Sequence, residues 1–346
     1  MIKFIILTIF LTTLSFSKSS YTIAVLYWSM NIEGQVAMKN GLEKEFAKIN
    51  SEATKHGKPT IELIRYIAGD GLNGIENQIK QFDEAISKKV DAIVIQPTDN
   101  AALSAGLKKA NLAKIPVIAY DQYIVNGELA SFITSNNYQA GFLNGEYVAS
   151  KFRDKEIKIV LVEYPHVSST VERVDGFFDA LDKSKVKYKI LKRYQAVEPV
   201  SGKKAGIDIL KDFPTKGSID TVFSVNDGGG LAVVEELHKA NRDEILVATI
   251  DGDPKSIENI KNSRLTQIDS AQFCGALGAE AIALAYKKLN GETIAKQVLI
   301  PVFPITKETM ELYHGWLSEF PKPFKKPWTS INPVWSPEKL EFNAIK

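Results

Sequence analysis

The sequence predicts an α/β protein of two doubly wound parallel-sheet lobes joined by three hinge crossings. Three observations predict it. Short, near-continuous apolar runs alternate with helical patterns from Tyr21 to about Leu299. Runs that lack polar alternation describe strands buried on both faces, the condition of a parallel sheet covered by helices. One open sheet of roughly ten such strands is less favourable than two sheets of five or six, so two lobes are expected.

The chain begins with Met1-Ile2-Lys3 and an apolar stretch from Phe4 to Leu14, closed by Ser15-Phe16-Ser17. A positive start, a short apolar core and small residues at the end form the pattern of a secretory leader, and the stretch is too short to span a bilayer. No cysteine follows it, so no lipid attachment is expected, and cleavage near Ser17 leaves a mature chain from Lys18. Expected strands then follow in order: Thr22–Tyr27, Thr60–Tyr66, Ala92–Gln96, Val117–Tyr120, Ile157–Glu163, Lys187–Tyr194, Thr221–Val225, Leu246–Ile250 and Thr266–Ser270. Between them, apolar residues recur at helical spacing, as in Ile75-Ile79-Phe82-Ile86 and Leu231-Val234-Leu237. Right-handed crossovers turn this alternation into doubly wound sheets.

The crossings between lobes are placed at Ser131–Asn137, just before a helical run Ala140–Phe152, at Thr266–Gln272 and at Leu299–Phe303. The resulting lobes comprise 18–135 with 271–301, and 136–270 with 302–320. The tail over 321–346 is rich in proline and aromatics and excludes regular helix. It is expected to run extended along the surface.

Composition excludes several function classes. With 43 basic against 41 acidic residues, no basic stripe points to nucleic acid. Cys274 is the only cysteine, so an intrachain disulfide is impossible. The four histidines, His56, His166, His238 and His314, have no metal-ligand spacing. Neither GxxxxGK[ST] nor GxGxxG occurs, so no phosphate loop or dinucleotide fingerprint is present. No metal, cofactor or catalytic residue is expected.

In doubly wound sheets, ligands sit beyond the C-terminal ends of the strands. Those positions are Trp28–Gln35, Gln96–Asn100, Asp121-Gln122-Tyr123, Tyr164–Thr170, Asn226-Asp227, Asp251-Gly252-Asp253 and Asp269–Phe273. They are rich in carboxylates, amides and aromatics. Such a set suits a polyhydroxylated ligand: carboxylates and amides pair with adjacent hydroxyls, and aromatic faces cover a ring's CH surface. Some of these residues also have plain structural readings. Asp251-Gly252 is an ordinary strand-to-turn pair, and Asn226-Asp227 reads equally as a helix start with Asp227 as N-cap.

Five segments together resemble the periplasmic sugar-binding proteins of the ribose/galactose-binding family. They are Gln78-x-x-x-x-Asp83-x-x-Ile86-x-x-x-Val90-Asp91-Ala92-Ile93-x-Ile95-x-Pro97-x-Asp99, Ile115-Pro116-Val117-Ile118-x-x-Asp121, Glu172-Arg173-x-x-Gly176-Phe177, Asn226-Asp227 and Ile250-Asp251-Gly252. The resemblance spans Tyr21 to Lys307. It implies that Asp121 grips the ligand from one lobe, that Asn226 and Asp251 do so from the other, that Gln272 contributes near a hinge and that Asn31 contributes from the first turn. Where the family carries arginines, this chain has Gln122 and Val171, and its two stacking phenylalanines fall near Gly34 and Gln35. Trp28, Tyr27, Tyr123, Tyr164 or Phe273 are the aromatics available in their place. Arg173 is assigned to anchoring or capping, and Cys274 to packing.

The resemblance implies a monomeric periplasmic protein that closes on a monosaccharide or sugar alcohol and delivers it to a membrane permease of an ABC transporter. A second reading keeps the ligand and changes the output. Autoinducer- and trimethylamine-oxide-sensing relatives present the closed form to a membrane sensor kinase, and the long segment after Phe303 would serve either such a contact or, as the plainer reading, a strap that stabilises the fold. An enzyme is excluded by the lack of a nucleophile–base pair, metal set or cofactor loop. A repressor of similar fold is excluded by the leader.

Overall fold

The computed structural model describes residues 18–345, so the expected leader lies outside the described residues. The first sheet takes β1 (Ser20–Tyr27), β2 (Thr60–Ile67), β3 (Ala92–Ile95), β4 (Val117–Tyr120) and β5 (Ser131–Ser135), connected in turn by α1 (Glu33–Lys55), α2 (Gly71–Ser87) and α3 (Ser104–Leu112). The chain then enters α4 (Asn137–Lys151) and builds the second sheet. That sheet contains β6 (Ile157–Glu163), β7 (Tyr188–Gln195), β8 (Thr221–Ser224), β9 (Leu246–Asp251) and β10 (Thr266–Ala271). Its helices are α5 (Ser168–Lys183), α6 (Pro199–Asp212), α7 (Asp227–Lys239) and α8 (Pro254–Lys261). A return through α9 (Cys274–Leu289) and β11 (Gln297–Ile300) leads to β12 (Phe303–Ile305) and the tail strands β13 (Phe324–Lys325), β14 (Val334–Trp335) and β15 (Leu340–Phe342).

The two large sheets run β15-β11-β5-β4-β3-β1-β2 and β12-β10-β9-β8-β6-β7. Every pairing within them is parallel except at one edge of each, where β15 and β12 run antiparallel. The central strands β3, β4 and β8 are buried along their whole length, as strands covered on both faces must be. Residues 131–135, expected as part of a connection, form the buried strand β5 between β4 and β11. The chain therefore passes between the sheets just after Ser135. It passes again between Ala271 and Cys274, and a third time between Ile300 and Phe303.

Close helix contacts set the second lobe against its own crossing. A Cβ at Gly141 would lie 1.8 Å from the Arg173 carbonyl oxygen, and one at Gly176 would lie 2.1 Å from that of Tyr138. Only glycine lets α4 and α5 approach so closely. Arg173 on α5 is thereby brought to Asn137 at the start of α4.

The tail holds more of the core than an extended surface strand would. Trp335 is 2% exposed and its Nε1 donates to Val302 O at 2.8 Å. Trp328 packs edge-on against Tyr147. Lys326 makes a buried ion pair with Glu146 of α4, and β15 adds to the first sheet beside β11. Its large aromatics account for the difference, since each removes a large apolar area from water.

Candidate functional site

The C-terminal ends of both sheets supply the site. β4 ends in Tyr120, and the next residue, Asp121, has φ 68°. Its amide donates to Ile133 O at 2.8 Å, and its Oδ2 accepts from Gln96 Nε2 at 3.0 Å. Gln96 itself follows β3 and also meets the Trp28 amide. On the other sheet, β9 ends in Asp251, with φ 135°. Two non-glycine residues in that backbone region, one at the end of each sheet, are the kind of local strain that surrounding bonds must hold in place.

Asp251 is well held. Its Oδ1 accepts from Arg173 Nη1 at 3.1 Å and from Gln272 Nε2 at 2.8 Å. Its carbonyl accepts from the Gln272 amide at 3.1 Å and from Trp316 Nε1 at 2.8 Å. Arg173 is fixed in turn by Asn137 Oδ1 at 3.0 Å and Val225 O at 2.8 Å. Gln272 reaches the first crossing, where its Oε1 accepts from Ser135 Oγ at 2.7 Å.

Charge joins the two ends. Burial pushes the Asp121 carboxyl up to about 6. The charge of Asp251 adds to the rise, while the Gln96 hydrogen bond and Arg173 oppose it. Asp251 is also raised by burial, against the pull of Arg173 and Gln272. Residues at the ends of the two sheets therefore share one field of two carboxylates and one guanidinium. Cys274 lies close to all three, but burial raises its thiol well above the ordinary range, so it is a poor nucleophile. Among the described residues, no group of His, Cys, Asp and Glu is placed to hold a metal ion.

A second pair of carboxylates supports the turn beneath Asp251. Asp227 Oδ2 accepts from the Asp253 amide at 2.8 Å, and Asp269 Oδ1 accepts from the Gly252 amide at 3.0 Å. Both are buried, and the charge of Asp269 adds to the rise of Asp227, whereas the hydrogen bond from Asp227 lowers Asp269. Burial pushes Asp269 up to about 6 and Asp227 well above the usual carboxylate range.

The structure thus brings Asp121, Asp251 and Gln272 together and adds Gln96, Arg173 and Ser135 to them. Gln96 was visible only as the end of an expected strand and the start of the turn after it. Arg173 was assigned to anchoring and does anchor, yet the same guanidinium touches Asp251. Asn226 lies at the same sheet end, and it rather than Asp227 is the N-cap of α7: its Oδ1 accepts from the Gly229 amide at 3.2 Å, and its Nδ2 donates to Val197 O at 2.9 Å. Asp227 is the first helical residue instead, with its carboxyl turned to Thr249 and Asp253.

Asn31, Gln122 and Tyr164 sit in loops on this face, but none of their hydrogen bonds reaches the cluster. Asn31 is exposed and binds Asp70 at 2.6 Å. The half-buried Gln122 donates its amide to Tyr120 O, and Tyr164 packs on His166. Trp28 is half-buried beside Gln96. Two of the aromatics considered for stacking are ruled out. Tyr27 is wholly buried with its hydroxyl on Glu43, and Phe273 is wholly buried against Tyr313 and Phe320.

Comparison with known proteins gives a consistent picture. The family described as "Periplasmic binding protein domain" matches residues 23–293. The "Ribose import binding protein RbsB" of Bacillus subtilis (strain 168) is 28% identical over 290 residues, covering 83% of this chain and 87% of that protein. Among solved structures, a periplasmic solute binding protein of an ABC transporter from Actinobacillus succinogenes 130z, with bound D-allose, superposes with a TM-score of 0.71 at 24% identity. The match covers 85% of this chain and all of that one. A solute binding protein from Bacillus halodurans C-125 with bound myo-inositol gives the same score and identity, over 85% of this chain and 97% of that one.

Proposed function

The chain belongs to the periplasmic binding protein domain family, and from that premise we propose that it captures a small polyhydroxylated ligand, a monosaccharide or sugar alcohol, and delivers it to the membrane permease of an ABC transporter. It works by binding and release, without chemistry on the ligand. The observation that carries the reading is the electrostatic reach between Asp121 and Asp251, from the ends of two different sheets, with Arg173 bonded to Asp251 and felt by Asp121. Carboxylates held this way accept paired hydrogen bonds from neighbouring hydroxyls. The comparison proteins point the same way, since their names and titles carry ribose, D-allose and myo-inositol.

Closure follows from the geometry. The lobes are taken as 18–135 with 271–301, and 136–270 with 302–320. Each holds part of the acceptor set, so a ligand binds the closed form better than the open one and shifts the population toward it. The leader over 1–17 would carry the chain across the inner membrane and be cleaved near Ser17, leaving a monomer in the periplasm. Ligand hydroxyls would meet Asp121, Asp251 and Gln272, with Asn226, Gln122 and Asn31 joining on closure and Trp28 or Tyr164 covering the ring.

A thermal-shift and calorimetric screen of D-ribose, D-allose and myo-inositol tests this reading. A true ligand raises the melting temperature in step with its excess over Kd. Asp121→Ala and Asn226→Ala should weaken that ligand's binding while the protein still folds. Unchanged affinity in both variants would refute the site assignment, and no response to any sugar or polyol would refute the function.

A further inference from the structure

We propose that Trp316 is a positioning residue for the ligand carboxylate of Asp251, tying its turn to the opposite lobe through the segment 313–320. The inference rests on the reading of Asp251 as a ligand residue, but its structural half stands on its own. Trp316 is 65 positions from Asp251, yet its indole N–H donates to the Asp251 carbonyl at 2.8 Å. Its own carbonyl accepts from the Gly275 amide, in the first turn of α9, at 2.9 Å. One residue therefore bonds the second lobe at Asp251 and the first lobe at α9.

The neighbours of Trp316 grip the same crossing. Tyr313 donates its hydroxyl to Gln272 O at 2.9 Å, and its ring packs on Phe273 and Phe303. Phe320 packs edge-on against Phe273. Three aromatics thus hold the backbone of 272–275, the point where the chain leaves β10 for α9. Farther along, the tail is fixed to the second lobe by the Lys326–Glu146 pair and Trp335, and to the first sheet by β15. A segment held at both ends cannot drift from the hinge.

The mechanical consequence concerns an acceptor whose backbone is strained. Asp251 keeps φ 135° only while its neighbours fix it. The Gln272 amide and the Trp316 indole are the two donors on its carbonyl. Losing the indole frees one bond on the carbonyl and one tether between lobes. The carboxylate then samples more orientations, and binding must supply the ordering.

Trp316→Phe removes the N–H and keeps an aromatic ring. In the ligand-free protein, hydrogen exchange at the Gln272 and Gly275 amides should accelerate about tenfold, with the Gly252 amide, held by Asp269, unchanged. With whichever of D-ribose, D-allose or myo-inositol raises the melting temperature, Kd should rise about five- to tenfold, mainly in the off-rate. Gly275→Ala provides a second route that leaves Trp316 intact: its Cβ would lie 3.1 Å from Trp316 O and 3.3 Å from Leu317 Cα, so the backbone that accepts from residue 275 must give by a few tenths of an ångström. It should reproduce both effects. Unchanged exchange at Gln272 and Gly275 in either folded variant would overturn the proposal, whether or not any sugar binds. Accelerated exchange with an unaltered off-rate would overturn the positioning role. Failure of all three sugars would count against the sugar-binding reading alone, with exchange still deciding this one.

Discussion

Ser135 and Gln272, 137 positions apart, meet at 2.7 Å where two of the inter-lobe crossings run side by side. The amide that accepts from Ser135 also donates to Asp251 Oδ1 at 2.8 Å. One side chain thus links the first crossing to the Asp251 carboxylate at the end of β9.

Gln272→Leu keeps the volume and removes both bonds. Hydrogen bonds to charged groups are the stronger class, and the loss leaves Asp251 Oδ1 with Arg173 as its remaining donor. Ligand affinity should fall about ten- to a hundredfold in isothermal calorimetry, with a small loss of thermal stability. An affinity within threefold of wild type, about the scatter expected of such estimates, would show that the bridge does not shape the site.

Much of this fold was legible because its strands are buried on both faces. Runs such as Ile157–Glu163 and Val117–Tyr120 read directly from their apolar content and match the observed strands. The strand β5 escaped because Ser131-Phe132-Ile133-Thr134-Ser135 holds only two apolar residues between polar ends and borders a crossing, yet every position is buried. Within the site, Asp121, Asp251 and Gln272 were recoverable from their places after strands. Local pattern gave no sign of the Trp316–Asp251 bond, which depends on where the chain returns after two lobes. The N-cap of α7 was a choice between adjacent Asn226 and Asp227, both good caps. Burial decided it, because Asp227 is drawn under the Asp251 turn.

The Asp121 carboxyl is pushed up to about 6 by burial. If it grips hydroxyls as a carboxylate, affinity should decline as pH falls through that value. At pH 5 about a tenth of the groups remain ionised, so Kd should be about tenfold weaker than at pH 7.5. Asp121→Asn should bind weakly and with a flatter profile. Calorimetry across this range decides the matter: a profile that is flat in the wild type rules out the ionised form as the binding species.

Lys326 and Glu146 form an ion pair that is almost fully buried, and Glu146 also accepts from the Asn332 amide at 3.0 Å. Burial pulls the Lys326 ammonium below its ordinary range, and the Glu146 partner opposes this. Removing one member leaves an uncompensated charge. Lys326→Met should therefore cost about 3–5 kcal/mol in urea unfolding. In the double variant with Glu146→Gln, the amide oxygen still accepts from Asn332 and no charge is stranded, so most of that loss should return. A double variant as unstable as the single one would contradict this account of how the tail is anchored.

Asp227 and Asp269 make stability depend on pH in an unusual direction. An aspartate in the unfolded chain ionises near 3.9, as model peptides do, whereas burial pushes Asp269 up to about 6 in the fold. Between those values the folded protein keeps a proton that the unfolded chain has released. Unfolding therefore loses protons, and stability declines as pH rises through this window, by about 3 kcal/mol from this residue once pH passes 7. Asp227 is raised further and by the same cause, so it adds to the decline at higher pH. Asp269→Asn keeps an oxygen for the Gly252 amide, cannot ionise, and gives Asp227 a neutral neighbour with an N–H to offer. The variant should match the wild type near pH 4, be more stable near pH 7.5, and show a shallower slope, with the remainder supplied by the other buried carboxyls, Asp227, Asp251 and Asp121. Urea titrations at the two pH values measure this directly. An equal slope in variant and wild type would mean that the buried pair holds no proton in the folded state.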